Sequence, residues 1–232
     1  MAQVLIEMAV IIACGSIWRM FRPSEISLDS LRLAINNLVY YLLLPALVFK
    51  VMVTAPISLD SIRIAFVAAC CVIASWGLIL LALKFSSVSL RDRGAVILAV
   101  MFPNATYLGL PVLEATFGEW AGVVAIQYDL FACLPLVMSL GIWIASKYGS
   151  AAQSAYSFRN FLRVPALWAL LLAVIFNLSG TSVPEVVPNT LDLLARAVVP
   201  LMLLSLGLSL RYIPLQRAYC VLYALIILIQ LR

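Results

Sequence analysis

Histidine is absent from this 232-residue chain, and only 11% of its residues are charged. The first absence removes imidazole proton relays, haem ligation through His and most zinc hydrolase designs. It also leaves any Ser or Cys nucleophile without an imidazole base, and no enzyme constellation appears. No G-x-x-x-x-G-K-S/T phosphate loop occurs, which argues against ATP-driven work by this chain alone. Soluble domains carry about a quarter charged residues; the shortfall here is made up by apolar side chains, at 65% of the sequence. That composition describes an integral membrane protein. A cleavable signal pattern is also missing, because Met1 to Ile17 carries Glu7 and no basic opening stretch, so the first apolar run is expected to be retained.

The five cysteines (Cys14, Cys70, Cys71, Cys133 and Cys220) all fall inside apolar runs. Cys70 and Cys71 are adjacent and point to different helix faces, so they cannot form a zinc knuckle. They read as small apolar residues, and no metal or other cofactor is expected. The net charge of +5 does not point to nucleic acid, since the basic residues are spread between apolar runs, where they set membrane orientation.

A bilayer-crossing helix needs roughly 20 mainly apolar residues. By that measure the chain is all-α and polytopic, with eight candidate spans at 3–19, 31–54, 62–84, 94–117, 120–146, 161–179, 188–210 and 217–232. The basic residues then alternate. Arg19, Arg22 and Arg32 flank the first connection; Lys84, Arg91 and Arg93 the third; Lys147, Arg159 and Arg163 the fifth; Arg211 and Arg217 the seventh. The even connections carry Asp60 with Arg63, then Glu114 and Glu119, then Glu185. Odd connections are therefore expected on the cytoplasmic side of a cell (inner) membrane, with the N-terminus outside.

The fourth span is the most informative. Residues 94–117 read GAVILAVMFPNATYLGLPVLEATF, an apolar run interrupted by Pro103, Asn104, Thr106, Gly109 and Pro111. A regular helix cannot hold two prolines this close with a glycine between them. In hydrocarbon, the freed backbone groups must be satisfied by protein or by a water-filled cavity. Discontinuous helices of this kind build solute and ion sites near the bilayer midplane in secondary transporters. Span 4 is thus expected to be a broken helix and the seat of function.

An internal repeat is also indicated. The Ser- and Ala-rich stretch 148–159 divides a first five-helix unit, 1–147, from a shorter second unit, 160–232. An odd number of spans per unit makes the next unit enter the membrane upside down. Pro45 in span 2 and Pro200 in span 7 stand 155 residues apart, each mid-span. The second unit holds three helices and ends before a broken helix of its own.

The string FPNATYLGLPV at 102–112, with LLLPALVF at 42–49 and PLMLLSLGLSL at 200–210, resembles the auxin efflux carrier family. That family includes plant auxin exporters and permeases for malate- or malonate-like carboxylates. The resemblance implies a two-repeat membrane fold of ten helices, with a scaffold of spans 1, 2, 6 and 7 and a transport domain holding two crossing broken helices. Asn104 then matches the crossover asparagine, Gly109 and Pro111 the Gly-x-Pro after it, and Pro103 the break itself. Thr106 stands where family members usually carry glycine, and the second crossover and last spans have no counterpart here.

Several residues carry two readings. Asn104 and Thr106 can bind a solute beside the positive end of a half-helix, or simply cap it. Asp129 in span 5 lies roughly 14 Å from the start of its span at 1.5 Å per residue, near mid-membrane. It can couple a proton or sodium ion, with Gln127 and Tyr128 adjacent in sequence, or pair with a polar group on a neighbouring helix. Arg196 can attract an anion, yet Asp192 one turn earlier favours an ion pair. Glu7 and Lys50 are placed near span ends, free to snorkel. Asn36 and Asn37 are expected to contact polar neighbours, and Trp18, Trp120, Trp143 and Trp168 to anchor at the interface.

The expected activity is secondary transport of small organic anions, such as carboxylates or auxin-like acids, by alternating access at the broken helix. The expected substrate-binding residues are Asn104, Thr106, Gly109, Pro103 and Pro111, with Asp129 the coupling candidate. The competing reading is a truncated, non-transporting remnant that binds a ligand or regulates. Two copies could supply two broken helices, so a homodimer is compatible with either.

Overall fold

Apolar runs of this length can satisfy their backbone groups in lipid only as helices, and helices are what form. The computed structural model describes residues 2–21, 25–55, 59–84, 90–148, 162–180, 184 and 186–210, and every regular element among them is helical. In order these are α1 (Ala2–Phe21), α2 (Leu28–Val53), α3 (Leu59–Lys84), α4 (Leu90–Met101), α5 (Ala105–Phe117), α6 (Trp120–Tyr148), α7 (Pro165–Ser179) and α8 (Val186–Ser209). Five of them (α1, α2, α3, α6 and α8) are long and apolar enough to cross a membrane, and α4 with α5 form a sixth, bent span. Helix α7 is apolar but shorter. Span 217–232, with Cys220, and residues 149–159 of the expected linker lie outside the described residues.

Prolines shape these helices without ending most of them. Pro45 in α2 is preceded by a π-turn at Val39–Leu43, in which the Leu44 N–H reaches back to the Val39 carbonyl. Pro135 in α6 follows a π-turn at Asp129–Cys133, closed by the Leu134 N–H on the Asp129 carbonyl. A proline cannot donate to residue i−4 and its ring crowds that carbonyl. One widened turn absorbs both problems while the helix runs on. In α8, Pro200 follows a tightened turn, where the Ala197 N–H bonds Leu194 O at 3.2 Å.

The chain divides into two compact units. One holds α1, α2, α5, the start of α6, α7 and α8; the other holds α3, α4 and the rest of α6. The first therefore gathers spans 1, 2, 6 and 7, the set that the family resemblance assigns to a scaffold, together with parts of spans 4 and 5. These units cut the chain differently from the two sequence repeats.

Within the first unit, α1 crosses α8 at Gly15 and Gly207. A Cβ on Gly207 would collide with the Ile12 carbonyl and the Gly15 Cα. Such small residues let membrane helices approach until backbones touch, and the gain is dispersion and polar contact rather than hydrophobic transfer. Closeness brings polar groups into range: Ser16 Oγ donates to Gly207 O at 3.3 Å, and Arg19 Nη1 to Leu208 O at 2.8 Å. Arg19 thereby satisfies a carbonyl in the last turn of α8. Asn177 does the same for α2, its Nδ2 donating to Val53 O and Ala55 O at 2.8 Å each and to Met52 O at 3.2 Å. Ser205 Oγ donates to Asn36 Oδ1 at 2.7 Å, the polar contact expected of Asn36.

In the second unit, α3, α4 and α6 enclose Val72, Ile79, Leu83, Val96, Ile97, Val100, Met101, Cys133 and Ile144. Trp76 and Trp143 meet edge-on at 6.3 Å, and Lys147 Nζ sits 4.9 Å from the Trp143 ring centre. Trp18, Trp120, Trp143 and Trp168 are all exposed, as interfacial anchors should be. Cys14, Cys70 and Cys71 are exposed thiols without a disulfide.

Candidate functional site: the break in the fourth span

Helix α4 closes with the Phe102 N–H on Leu98 O at 3.1 Å. Phe102, Pro103 and Asn104 are then non-helical, and α5 starts at Ala105 with the axis turned by 45°. The span is broken, as its composition requires. The break is narrower than the sequence pattern implies, however. Thr106 and Gly109 belong to a π-turn at Ala105–Gly109, Gly109 has ordinary helical angles (φ −70°, ψ −46°), and Pro111 sits in the first turn of the α-helical stretch that follows. The reason is the one seen at Pro45 and Pro135: a π-turn ahead of Pro111 removes the clash with the Tyr107 carbonyl, so the helix survives.

Burial separates the expected site residues. Asn104 is exposed and Pro103 half-buried; Thr106 is buried, at 5% exposure, and Gly109 and Pro111 are half-buried. Pro103 and Asn104 belong with α4 and Asp129 to one compact unit, whereas Thr106, Gly109 and Pro111 belong to the other, on α5. Within its unit, α5 packs on α1 and its π-turn on α8. The Phe102 ring lies over Gly141 of α6. Helix α5 ends at Gly118, whose φ of +97° is open to glycine and strained for other residues. The N-terminus of α5 is, like that of any helix, electropositive.

Asp129 opens a π-turn and is half-buried, with Gln127 buried two residues earlier. The Tyr128 phenol and the Cys133 thiol lie within its electrostatic reach. Irregular turns of this type recur at functional positions in helices.

A second cluster lay beyond sequence reasoning. Arg196 Nε bonds Asp192 Oδ2 at 2.7 Å, the ion pair expected from their spacing, but Lys50 Nζ also bonds Asp192 Oδ1. Lys50 is thus a partner of Asp192 rather than a free snorkelling side chain. A lysine near the end of an apolar run carries no signal for such a contact; its partner is 142 residues away.

Comparison with known proteins agrees with these features. A family model described as "Membrane transport protein" matches residues 5–158 and 152–231. The chain belongs to this family, the one that the FPNATYLGLPV motif resembles. It is a multi-pass membrane protein. Among curated relatives, an uncharacterized transporter of Methanothermobacter thermautotrophicus is 37% identical over 123 residues, covering 53% of this chain and 39% of the relative. An uncharacterized transporter of Methanocaldococcus jannaschii is 29% identical over 185 residues, covering 76% and 59% respectively. The chain therefore spans less than two thirds of either relative's length.

Proposed function

We propose that this membrane transport protein carries small organic anions, carboxylates or auxin-like acids, across a cell membrane as a secondary transporter. The observation that carries the reading is the interruption at Phe102–Asn104 within a membrane span, followed by the N-terminus of α5. Broken spans of this kind bind solutes in secondary transporters, and Asn104 is the side-chain donor to the carboxylate here. Pro103 holds the chain out of helical register; Thr106, Gly109 and Pro111 shape the first turns of α5. Asp129 is the coupling group, loading a proton or sodium ion. Residues 1–147 form one five-helix repeat and 160–232 belong to an inverted second, joined by the 148–159 linker, with the N-terminus outside. Two copies of the chain offer two broken spans.

Reconstituted in sealed vesicles, the full chain should take up radiolabelled malonate or indole-3-acetate down an imposed gradient. Asn104→Ala should abolish uptake while leaving membrane insertion intact; unchanged uptake would remove Asn104 from the site. Asp129→Asn should alter the dependence of uptake on pH or sodium, and an unchanged dependence eliminates the coupling role. A tag at residue 1 should be reachable from outside intact cells.

A further inference from the structure

A cavity of about 490 Å³ lies in the first compact unit, lined by Phe49, Lys50, Val53 and Thr54 of α2 and its end, and by Pro188, Asn189, Leu191 and Asp192 of α8. Its volume is within the range of small-molecule sites, which combine an apolar wall with a few convergent polar groups. Phe49, Val53, Pro188 and Leu191 supply the wall here. Thr54, Asn189 and the Lys50–Asp192 pair supply the polar groups. No residue from Phe102 to Pro111 lines it.

The charges at this cavity are unequally shared. Two cations, Lys50 and Arg196, hold the single carboxylate of Asp192, one on each oxygen. If Lys50 turns to another anion, Asp192 keeps Arg196, so neither charge is left without a counter-charge. Lys50 lines the cavity while Arg196 does not, which directs the exchangeable positive charge at the space. Glu114, a further carboxylate within electrostatic reach of Lys50, is also outside the lining.

We propose that this cavity is a second ligand site, separate from the break, which takes an amphipathic anion: a carboxylate or phosphate on Lys50, with an apolar body against Phe49, Val53 and Leu191. Asn189 and Thr54 contribute neutral hydrogen bonds. The anionic group could belong to a free organic acid or to a lipid headgroup, and the Lys50 chemistry is the same for both.

The test uses the full chain in phosphatidylcholine nanodiscs, with Asn189→Cys as reporter and Thr54→Cys as an independent second. N-ethylmaleimide labelling is read by peptide mass spectrometry, and Glu119→Cys, exposed between α5 and α6, serves as the control. Benzoate at ten times its Kd should slow labelling at the reporter about tenfold, leave the Glu119→Cys control unchanged, and do so equally in Asn104→Ala. Uncharged benzamide should give no protection, and Lys50→Gln should remove that given by benzoate while Lys50→Arg retains it. If phosphatidylglycerol nanodiscs protect the reporter without benzoate, in a Lys50-dependent way, the occupant is a lipid. Protection that survives Lys50→Gln, equals that of benzamide, vanishes in Asn104→Ala or is absent in both lipids would overturn the proposal.

Discussion

Pro103 and Pro45 sit in apolar helices of similar composition, yet the chain leaves the helix at one and runs through the other. At Pro45, Pro111 and Pro135 a π-turn precedes the ring and an apolar residue (Ala46, Val112 or Leu136) follows it, and helix continues. At Pro103 the following residue is Asn104, and three residues are non-helical. Proline by itself removes one hydrogen bond, which a widened turn can absorb. Asparagine adds a side chain that competes for backbone groups and favours the position before a helix start. Pro103–Asn104 breaks its span because it falls mid-run; the same pair at Pro188–Asn189 lies in the first turn of α8, where the N–H that proline lacks has no helical partner to lose.

The sharpest way to break this comparison is Asn104→Leu, which gives Pro103 the apolar successor found at the other prolines. The axis should straighten, lengthening the distance between spin labels at Ala95 and Ala115, and anion uptake should be lost. An unchanged distance would return responsibility to Pro103. Helix ends that are closed by a side chain offer the next contrast. Asn177→Ala leaves carbonyls of Met52, Val53 and Ala55 without their donor, and should destabilise the fold by roughly 1–3 kcal/mol in a thermal or denaturant titration. Gly207→Val should cost about 1–3 kcal/mol by forcing α1 from α8, whereas Gly77→Val, with open space around it, should leave the melting temperature nearly unchanged. Smallest of the destabilising changes is Ser205→Ala, which removes one interhelical hydrogen bond and should cost on the order of 0.6 kcal/mol.

Much of this fold was legible residue by residue. Apolar length placed α1, α2, α3, α6 and α8, because lipid admits no other backbone arrangement. The interruption in 94–117 was legible for the same reason, and the Asp192–Arg196 pair from its one-turn spacing. The width of the break was not. Pro111 and Gly109 look like breakers in sequence, and only a π-turn ahead of the proline shows that helix can pass through them.

Composition and periodicity determined that this chain crosses a membrane repeatedly and opens one span near its middle, since both follow from local backbone chemistry in hydrocarbon. Tertiary structure decided which polar groups meet: Lys50 with Asp192, Asn177 with the end of α2, Arg19 with the end of α8. Those partners stand more than a hundred residues apart, and no local pattern encodes a contact that exists only once helices have packed.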